Sequence, residues 1–250
     1  MNKFVYGLAI ALGGIACLYS AQGHAGMVVN GTRFVLTASE HAKGITVKNT
    51  GKDGFLVKSQ VFPDNGGELE GTDHSIRTAA VGNPFVITPP LFLLGAGKSS
   101  QLRLECLSCQ ELPNDRESLY RLGISAIPGG KPAANTVQLA VRSTFKLFYR
   151  PAGLAGNAAQ AYQQLKWKRE GKNVVIHNPT PYYVTLFELK INNKEVHGSG
   201  MVAPFSSRTR AWCPATGKCD IEWKSLNDFG GITPAWTVSP ATVAKAGHGV

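Results

Sequence analysis

Apolar and polar residues alternate along most of the chain, and this period of two is typical of β-strands with one buried face. Ile45 and Val47 share one face of their segment, and Leu102 and Leu104 share one face of theirs, so we expect all four to point inward. Residues 55–62 alternate in the same way. The predicted strands cover residues 27–36, 44–48, 55–62, 85–87, 99–107, 119–127, 136–149, 173–176, 182–191, 208–212, 219–224 and 235–238.

These strands fall into two groups. Pro151 cannot donate a hydrogen bond to a ladder and Gly153 loosens the backbone, so we place a domain boundary near residue 151. Short strands separated by turn signals predict two β-sandwich domains, over residues 26–150 and 151–250. Residues 158–165 are the nearest approach to a helix, and they are few.

Residues 1–25 have the pattern of a cleavable signal peptide. Lys3 precedes an apolar run over residues 4–18, which is too short for a spanning helix, and small residues follow. An N-terminal membrane anchor is the alternative. A lipid anchor at Cys17 is disfavoured, because Gly14 stands where that signal has Leu or Val. No later apolar run spans a bilayer, so we expect an exported chain without membrane insertion.

The formal net charge is +10, from 26 basic and 16 acidic residues. Such a balance favours nucleic acid or anionic surfaces when the basic residues cluster. Here they are scattered, the tight run at residues 166–169 stands alone, and no nucleic-acid-binding motif accompanies it. We therefore expect no nucleic-acid partner and interpret the basic residues as a solvated surface.

Four cysteines remain after removal of residues 1–25, and export permits disulfide bonds. Four cysteines allow three connectivities, and sequence alone does not choose among them. Cys213 and Cys219 bracket a turn-rich segment, so a local bond there is our preferred pairing. Cys106 and Cys109 then pair with each other or stay reduced.

Catalytic and metal-binding patterns are weak. The spacing of Cys106 and Cys109 is also that of thiol oxidoreductases, but those enzymes place it at the start of a helix, and here it follows a strand. The histidines are dispersed, and no nucleophile motif or metal-ligand spacing occurs. We expect neither catalysis nor a metal or other cofactor.

Four motifs occur in order along the chain: LPNDRESL at residues 112–119, FKLFYRP at 145–151, NPTPYYV at 178–184 and NDFGG at 227–231. Together they resemble the PapD-like family of periplasmic pilus and fimbrial chaperones. The sequence departs from the family pattern at Arg121, where an aromatic residue is usual. It also departs at Gly123, where Asn is usual, and at Gly129, which replaces a frequent Pro or small residue.

The resemblance implies two immunoglobulin-like domains in an L-shaped arrangement and a location in the periplasm. It also implies a chaperone that lends a β-strand to pilus subunits and delivers them to an outer-membrane usher. The candidate donor strand is residues 135–146, with Val137, Leu139 and Val141 on one face. The alternative is that these three side chains fill the protein's own core.

The resemblance assigns roles to two further groups of charged residues. Arg33 and Lys146 would anchor the terminal carboxylate of the subunit, which fixes the register of pairing. Glu117, Arg150 and Asp228 would form an interdomain network, against the alternative of independent exposed ions. The short connection over residues 128–135 favours the short-loop class of the family, although residues 88–92 are similar to the long-loop class.

Two other classes of protein are alternatives to a chaperone. A pilus subunit or adhesin would have one incomplete sandwich and an apolar N-terminal extension, which this chain lacks. A thiol oxidoreductase would depend on Cys106 and Cys109. We also hold as a hypothesis that the unliganded chaperone self-associates to cover its donor strand, which sedimentation at several concentrations would test.

Overall fold

A computed structural model describes residues 26–64, 83–129 and 137–240. The predicted signal peptide lies outside the described residues. Among those residues, no helix is long and apolar enough to cross a membrane. The first group of strands is β1 (Met27–Val29), β2 (Arg33–Thr37), β3 (Ala42–Asn49), β4 (Phe55–Pro63), β5 (Phe85–Thr88), β6 (Leu91–Leu94), β7 (Ser99–Cys106), β8 (Ser118–Pro128) and β9 (Val141–Arg150).

These nine strands form two sheets with the orders β1-β3-β7-β5 and β2-β9-β8-β4-β6. Alternate residues of both sheets point into one core. This explains why the alternation of apolar and polar residues in the sequence predicts which side chains belong to that core. Ile45, Val47, Leu102 and Leu104 are each at most 1% exposed, so the inward faces predicted for them are confirmed. A short 3-10 helix, Cys109–Glu111, follows β7.

The single strand predicted over residues 27–36 is wrong, because the chain changes sheets within it. β1 pairs with β3 in one sheet, whereas β2 pairs parallel to β9 in the other. Gly31 lies between them with a φ of 134°, a conformation that a residue with a side chain rarely adopts. The apolar residues on both sides of this break hide it in the sequence.

The second group contains β10 (Lys166–Glu170), β11 (Asn173–His177), β12 (Val184–Thr185), β13 (Phe187–Ile191), β14 (Lys194–Glu195), β15 (Met201–Val202), β16 (Ser207–Arg210), β17 (Ile221–Lys224) and β18 (Trp236–Val238). They form sheets with the orders β10-β11-β16, β12-β15 and β14-β13-β17-β18 around a second core. The predicted strand over residues 182–191 is divided into β12 and β13, which belong to different sheets. A second 3-10 helix covers Ala158–Gln164, within the segment that the sequence marked as its nearest approach to a helix.

The sequence does not predict strand β10, because its residues form a basic run that favours a solvated surface. For Arg169 that interpretation is wrong: it is 3% exposed. Its guanidinium donates hydrogen bonds to the carbonyl oxygens of Gly171 (2.9 Å), Pro214 (2.8 Å) and Gly217 (2.6 Å). A buried cation needs such acceptors, and here backbone carbonyls supply them.

The residues that the structure describes contain two disulfide bonds. Cys213 is joined to Cys219, the local pairing preferred from the sequence, and both are buried in the second core. Cys106 is joined to Cys109 rather than left reduced. The all-β, two-domain architecture is confirmed, while the boundary near residue 151 stays a prediction.

Candidate functional site

Strand β9 has an open edge along its first half. β8 pairs with β9 from Val141 to Tyr149, but β2 pairs with it only from Lys146 to Arg150. In the part of the chain that the structure describes, no strand pairs with the other edge of residues 141–145. Backbone N–H and C=O groups on that edge are therefore placed to bond a further strand.

Aliphatic side chains precede and begin this open edge. Val137, Leu139 and Val141 are 84%, 72% and 59% exposed, so they do not fill the protein's own core. The strand predicted from residue 136 begins only at Val141, since residues 137–140 pair with no described strand. Residues 135 and 136 lie outside the described residues.

Three cationic side chains form a row across neighbouring strands, which we call the cation row: Arg33 of β2, Lys146 of β9 and Arg121 of β8. Arg33 lies directly opposite Lys146, and Lys146 lies directly opposite Arg121. Directly paired residues point to the same face of a sheet, and the next residue along each strand is buried in the core. The cation row therefore faces away from the core, where the open edge ends.

Arg33 reaches across to the second domain. Its Nη1 donates to the carbonyl oxygen of Leu226 at 2.6 Å, and its Nη2 donates to Oγ1 of Thr185 at 2.7 Å. The guanidinium also lies 5.0 Å from the centre of the Phe148 ring. Since these partners are uncharged, the side chain is held in place with its positive charge uncompensated by them.

Lys146 is half-buried and makes no hydrogen bond or ion pair with any described residue. Burial, together with the neighbouring Arg33 and Arg121 and against the opposing effect of Asp64, lowers the pKa of its ammonium group to about 8. An ammonium group that is partly desolvated among like charges gains strongly from an arriving anion.

Arg121 has a carboxylate beside it. Its Nη2 lies 3.0 Å from Oδ2 of Asp64, and the side chains are 17% and 8% exposed. Sequence reasoning noted Arg121 only as a departure from a family pattern and did not single out Asp64. Only the register between β8 and β9 reveals that Arg121 faces Lys146, and no local pattern carries that register.

The structure brings Glu117, Arg150 and Asp228 together across the two domains. Arg150 Nε donates to Glu117 Oε1 at 2.8 Å, while its Nη1 and Nη2 donate to the two carboxylate oxygens of Asp228 at 2.7 and 2.8 Å. Glu117 Oε2 accepts from the backbone N–H of Tyr183 at 2.8 Å. Burial raises the pKa of Glu117, and Arg150 and the Tyr183 amide oppose that rise.

Two family models match this chain. One is described as pili and flagellar-assembly chaperone, PapD N-terminal domain, and matches residues 26–155. The other is described as pili assembly chaperone PapD, C-terminal domain, and matches residues 160–237. The chain belongs to the PapD-like family of pilus assembly chaperones. The family resemblance that the four motifs indicated is therefore confirmed.

Individual chaperones are similar over nearly the whole chain. The uncharacterized fimbrial chaperone YcbF of Escherichia coli K12 is 38% identical over 222 residues, which cover 88% of this chain and 90% of that protein. The crystal structure of the E. coli chaperone DraB matches with a TM-score of 0.72 at 33% identity, over 86% of this chain and 96% of that one. The complex of Salmonella enterica SafA pilin with the SafB chaperone matches with a TM-score of 0.72 at 28% identity, over 85% and 95%.

Proposed function

We propose that this chaperone binds a pilus subunit by adding the open edge of β9 to the incomplete sheet of the subunit. The observation that carries the proposal is that β2 covers only residues 146–150, which leaves residues 141–145 free to pair. Such strand addition supplies main-chain hydrogen bonds, and alternate side chains supply contacts in the partner's groove. Val137, Leu139 and Val141 are the exposed side chains in position to enter that groove.

Charge selects the direction of the bound strand. A subunit strand along residues 141–145 would stop where β2 begins, next to Arg33 and Lys146. If it runs parallel to β9, as β2 does, its C-terminal carboxylate meets these cations. If it runs antiparallel, its N-terminal end meets them and gains nothing from their charge. The terminal carboxylate of the subunit is therefore the anchor that Arg33 and Lys146 would bind.

Location and delivery follow from the same proposal. We infer that residues 1–25 are cleaved on export, that the mature chaperone works in the periplasm, and that it passes its subunit to an outer-membrane usher. The match to SafA pilin bound to SafB chaperone supports a pilin-like subunit as partner. Glu117, Arg150 and Asp228 would hold the two domains in the arrangement that binding requires. The function as proposed needs no catalytic step.

Replacing Leu139 with Asn tests the donor strand. We expect subunit capture to fall at least tenfold, because a polar side chain would have to enter an apolar groove, while thermal stability stays unchanged, because Leu139 is 72% exposed. Co-purification from the periplasm of a host that expresses the neighbouring fimbrial genes is the measurement. Leu107→Asn is the matched control, since Leu107 is 67% exposed and lies directly after β7. Equal losses for both variants, or none for Leu139→Asn, would contradict the proposal.

Subunit affinity should fall as pH rises above about 8, the pKa to which burial lowers the Lys146 ammonium in the free chaperone. Only the charged ammonium attracts a carboxylate, so above that pH binding must first restore a proton. The loss approaches about tenfold per pH unit until the pKa of the complex is reached. Titration of affinity between pH 7 and 9.5 at constant ionic strength checks this. Lys146→Arg is the control that should flatten the profile, and a flat wild-type profile would contradict the expectation.

A further inference from the structure

The carboxylate anchor has a neighbour that neither the proposed function nor the family motifs assign. Arg121 is the third member of the cation row, on the side of Lys146 opposite to Arg33. Adjacent strands lie about 4.8 Å apart, and the charges of both Arg33 and Arg121 act on the ammonium group of Lys146. Arg121 is only 17% exposed, and its charge is therefore poorly screened by water.

Asp64 is a carboxylate that already belongs to this row. Its Oδ2 is 3.0 Å from Arg121 Nη2, and its side chain is 8% exposed. Its charge also acts beyond Arg121: burial raises the pKa of Tyr183 in the second domain and Asp64 adds to that rise, while at Lys146 Asp64 partly opposes the lowering of the pKa by burial. Asp64 therefore lies over the same outward face that the terminal carboxylate of a subunit would approach.

We propose that Arg121 is a third cation of the subunit anchor, and that Asp64 is an internal counter-carboxylate which competes with the subunit's terminal carboxylate for the cation row. This inference depends on the proposed function. In the free chaperone, Asp64 offsets part of the repulsion among the three cations. When a subunit binds, Asp64 repels the incoming carboxylate while Arg121 attracts it. The balance of these two residues limits affinity, which permits release of the subunit at the next step of assembly.

Single charge removals at these two positions should act in opposite directions. Asp64→Asn should tighten subunit binding about three- to tenfold, since one unit of repulsion at close range in a partly buried site disappears. Arg121→Gln should weaken binding about tenfold or more, since one attractive charge disappears. The double variant should lie near wild type, because the two effects oppose each other.

The binding experiment uses the subunit that co-purifies with the wild-type chaperone, compared with the same subunit truncated by one or two residues, which moves its carboxylate away from the cation row. The partition of the subunit at equilibrium between labelled wild-type chaperone and an unlabelled variant gives the relative affinities. With the truncated subunit, the differences among the three variants should shrink below twofold. Arg103→Gln and Glu105→Gln are the matched controls, because these residues also pair with each other but lie on β7 in the other sheet.

Titration of the Lys146 ammonium by NMR gives a second readout that needs no subunit. Its midpoint should move to lower pH in Asp64→Asn and to higher pH in Arg121→Gln, and thermal unfolding shows whether each variant is folded. An unmoved midpoint in folded variants would overturn this inference and leave the proposed function standing. Equal binding of the subunit by all variants would do the same, provided that capture still depends on Lys146. Failure of the wild type to capture any subunit would overturn both.

Discussion

Replacing Lys146 with Met is expected to abolish stable subunit capture and, at the same time, to stabilise the free chaperone. Truncation of one partner of a buried charge pair costs roughly 2–5 kcal/mol of binding free energy, which corresponds to about 30-fold to several thousand-fold in affinity. Arg33 and Arg121 would remain, but each is held by other contacts, so neither replaces an ammonium at the end of the open edge.

The gain in stability follows from the sign of the pKa shift. The pKa of Lys146 is about 8 in the folded chain and near 10.5 when unfolded, so folding disfavours its charged form. The cost is fully present below pH 8 and disappears as pH rises from about 8 towards 10.5. At pH 7, Lys146→Met should raise the free energy of unfolding by about 1–2 kcal/mol, after allowance for the water that still reaches the group.

Urea unfolding at pH 7 and pH 10, together with periplasmic co-purification, measures both effects on one variant. Lys48→Met is the control, because Lys48 is exposed on β3 in the other sheet and should alter neither quantity. Retained capture by Lys146→Met would show that the anchor assignment is wrong. A loss of stability at pH 7 would show that Lys146 has a stabilising partner after all.

Replacing Arg150 with Met is expected to have the largest effect on stability. Glu117 is 4% exposed and would lose the guanidinium that compensates its charge, which costs roughly 3–5 kcal/mol when a buried partner is removed. Asp228 would lose its partner too, but its side chain is 37% exposed and water replaces the lost bonds. Asp228→Asn alone should therefore cost at most about 1 kcal/mol.

The double variant Glu117→Gln, Arg150→Met separates these contributions. Removing both charges should recover much of the loss, since the uncompensated carboxylate is gone. Urea unfolding gives the free energies, and the slope against urea concentration reports whether the two domains still unfold together. If Arg150→Met costs less than 1 kcal/mol, Glu117 is not held as a buried ion and the interdomain role assigned to this network is wrong.

The sequence predicted the features that depend on local alternation. Ile45 with Val47, and Leu102 with Leu104, were located because a strand with one buried face repeats every two residues. The four motifs identified the family and, through it, led to Arg33 and Lys146. The opposition of Lys146 and Arg33 is a pairing between strands more than a hundred residues apart, which alternation alone does not encode.

What the sequence did not predict has a common physical origin in non-local contacts. The change of sheet at Gly31 places β1 and β2 in different sheets, although the two segments have similar apolar sequences. The basic run predicts a solvated Arg169, since nothing near it in the sequence shows that its acceptors are carbonyl groups of a distant turn. Arg121 and Asp64 meet only because β8 pairs with β4, which places Arg121 beside the end of β4, where Asp64 follows.

The outward positions of β9 at Lys146, Phe148 and Arg150 follow one another at intervals of two residues, one beside the open edge and the last at the domain interface. Loss or gain of a single residue between Val141 and Lys146 would put the side chains before it out of phase with those after it, so that either the donor residues or these outward residues change faces. Substitution in this strand is therefore tolerated more readily than a change of length. Relatives that differ here in length should need a compensating bulge, and gene fusions or tags are best placed elsewhere.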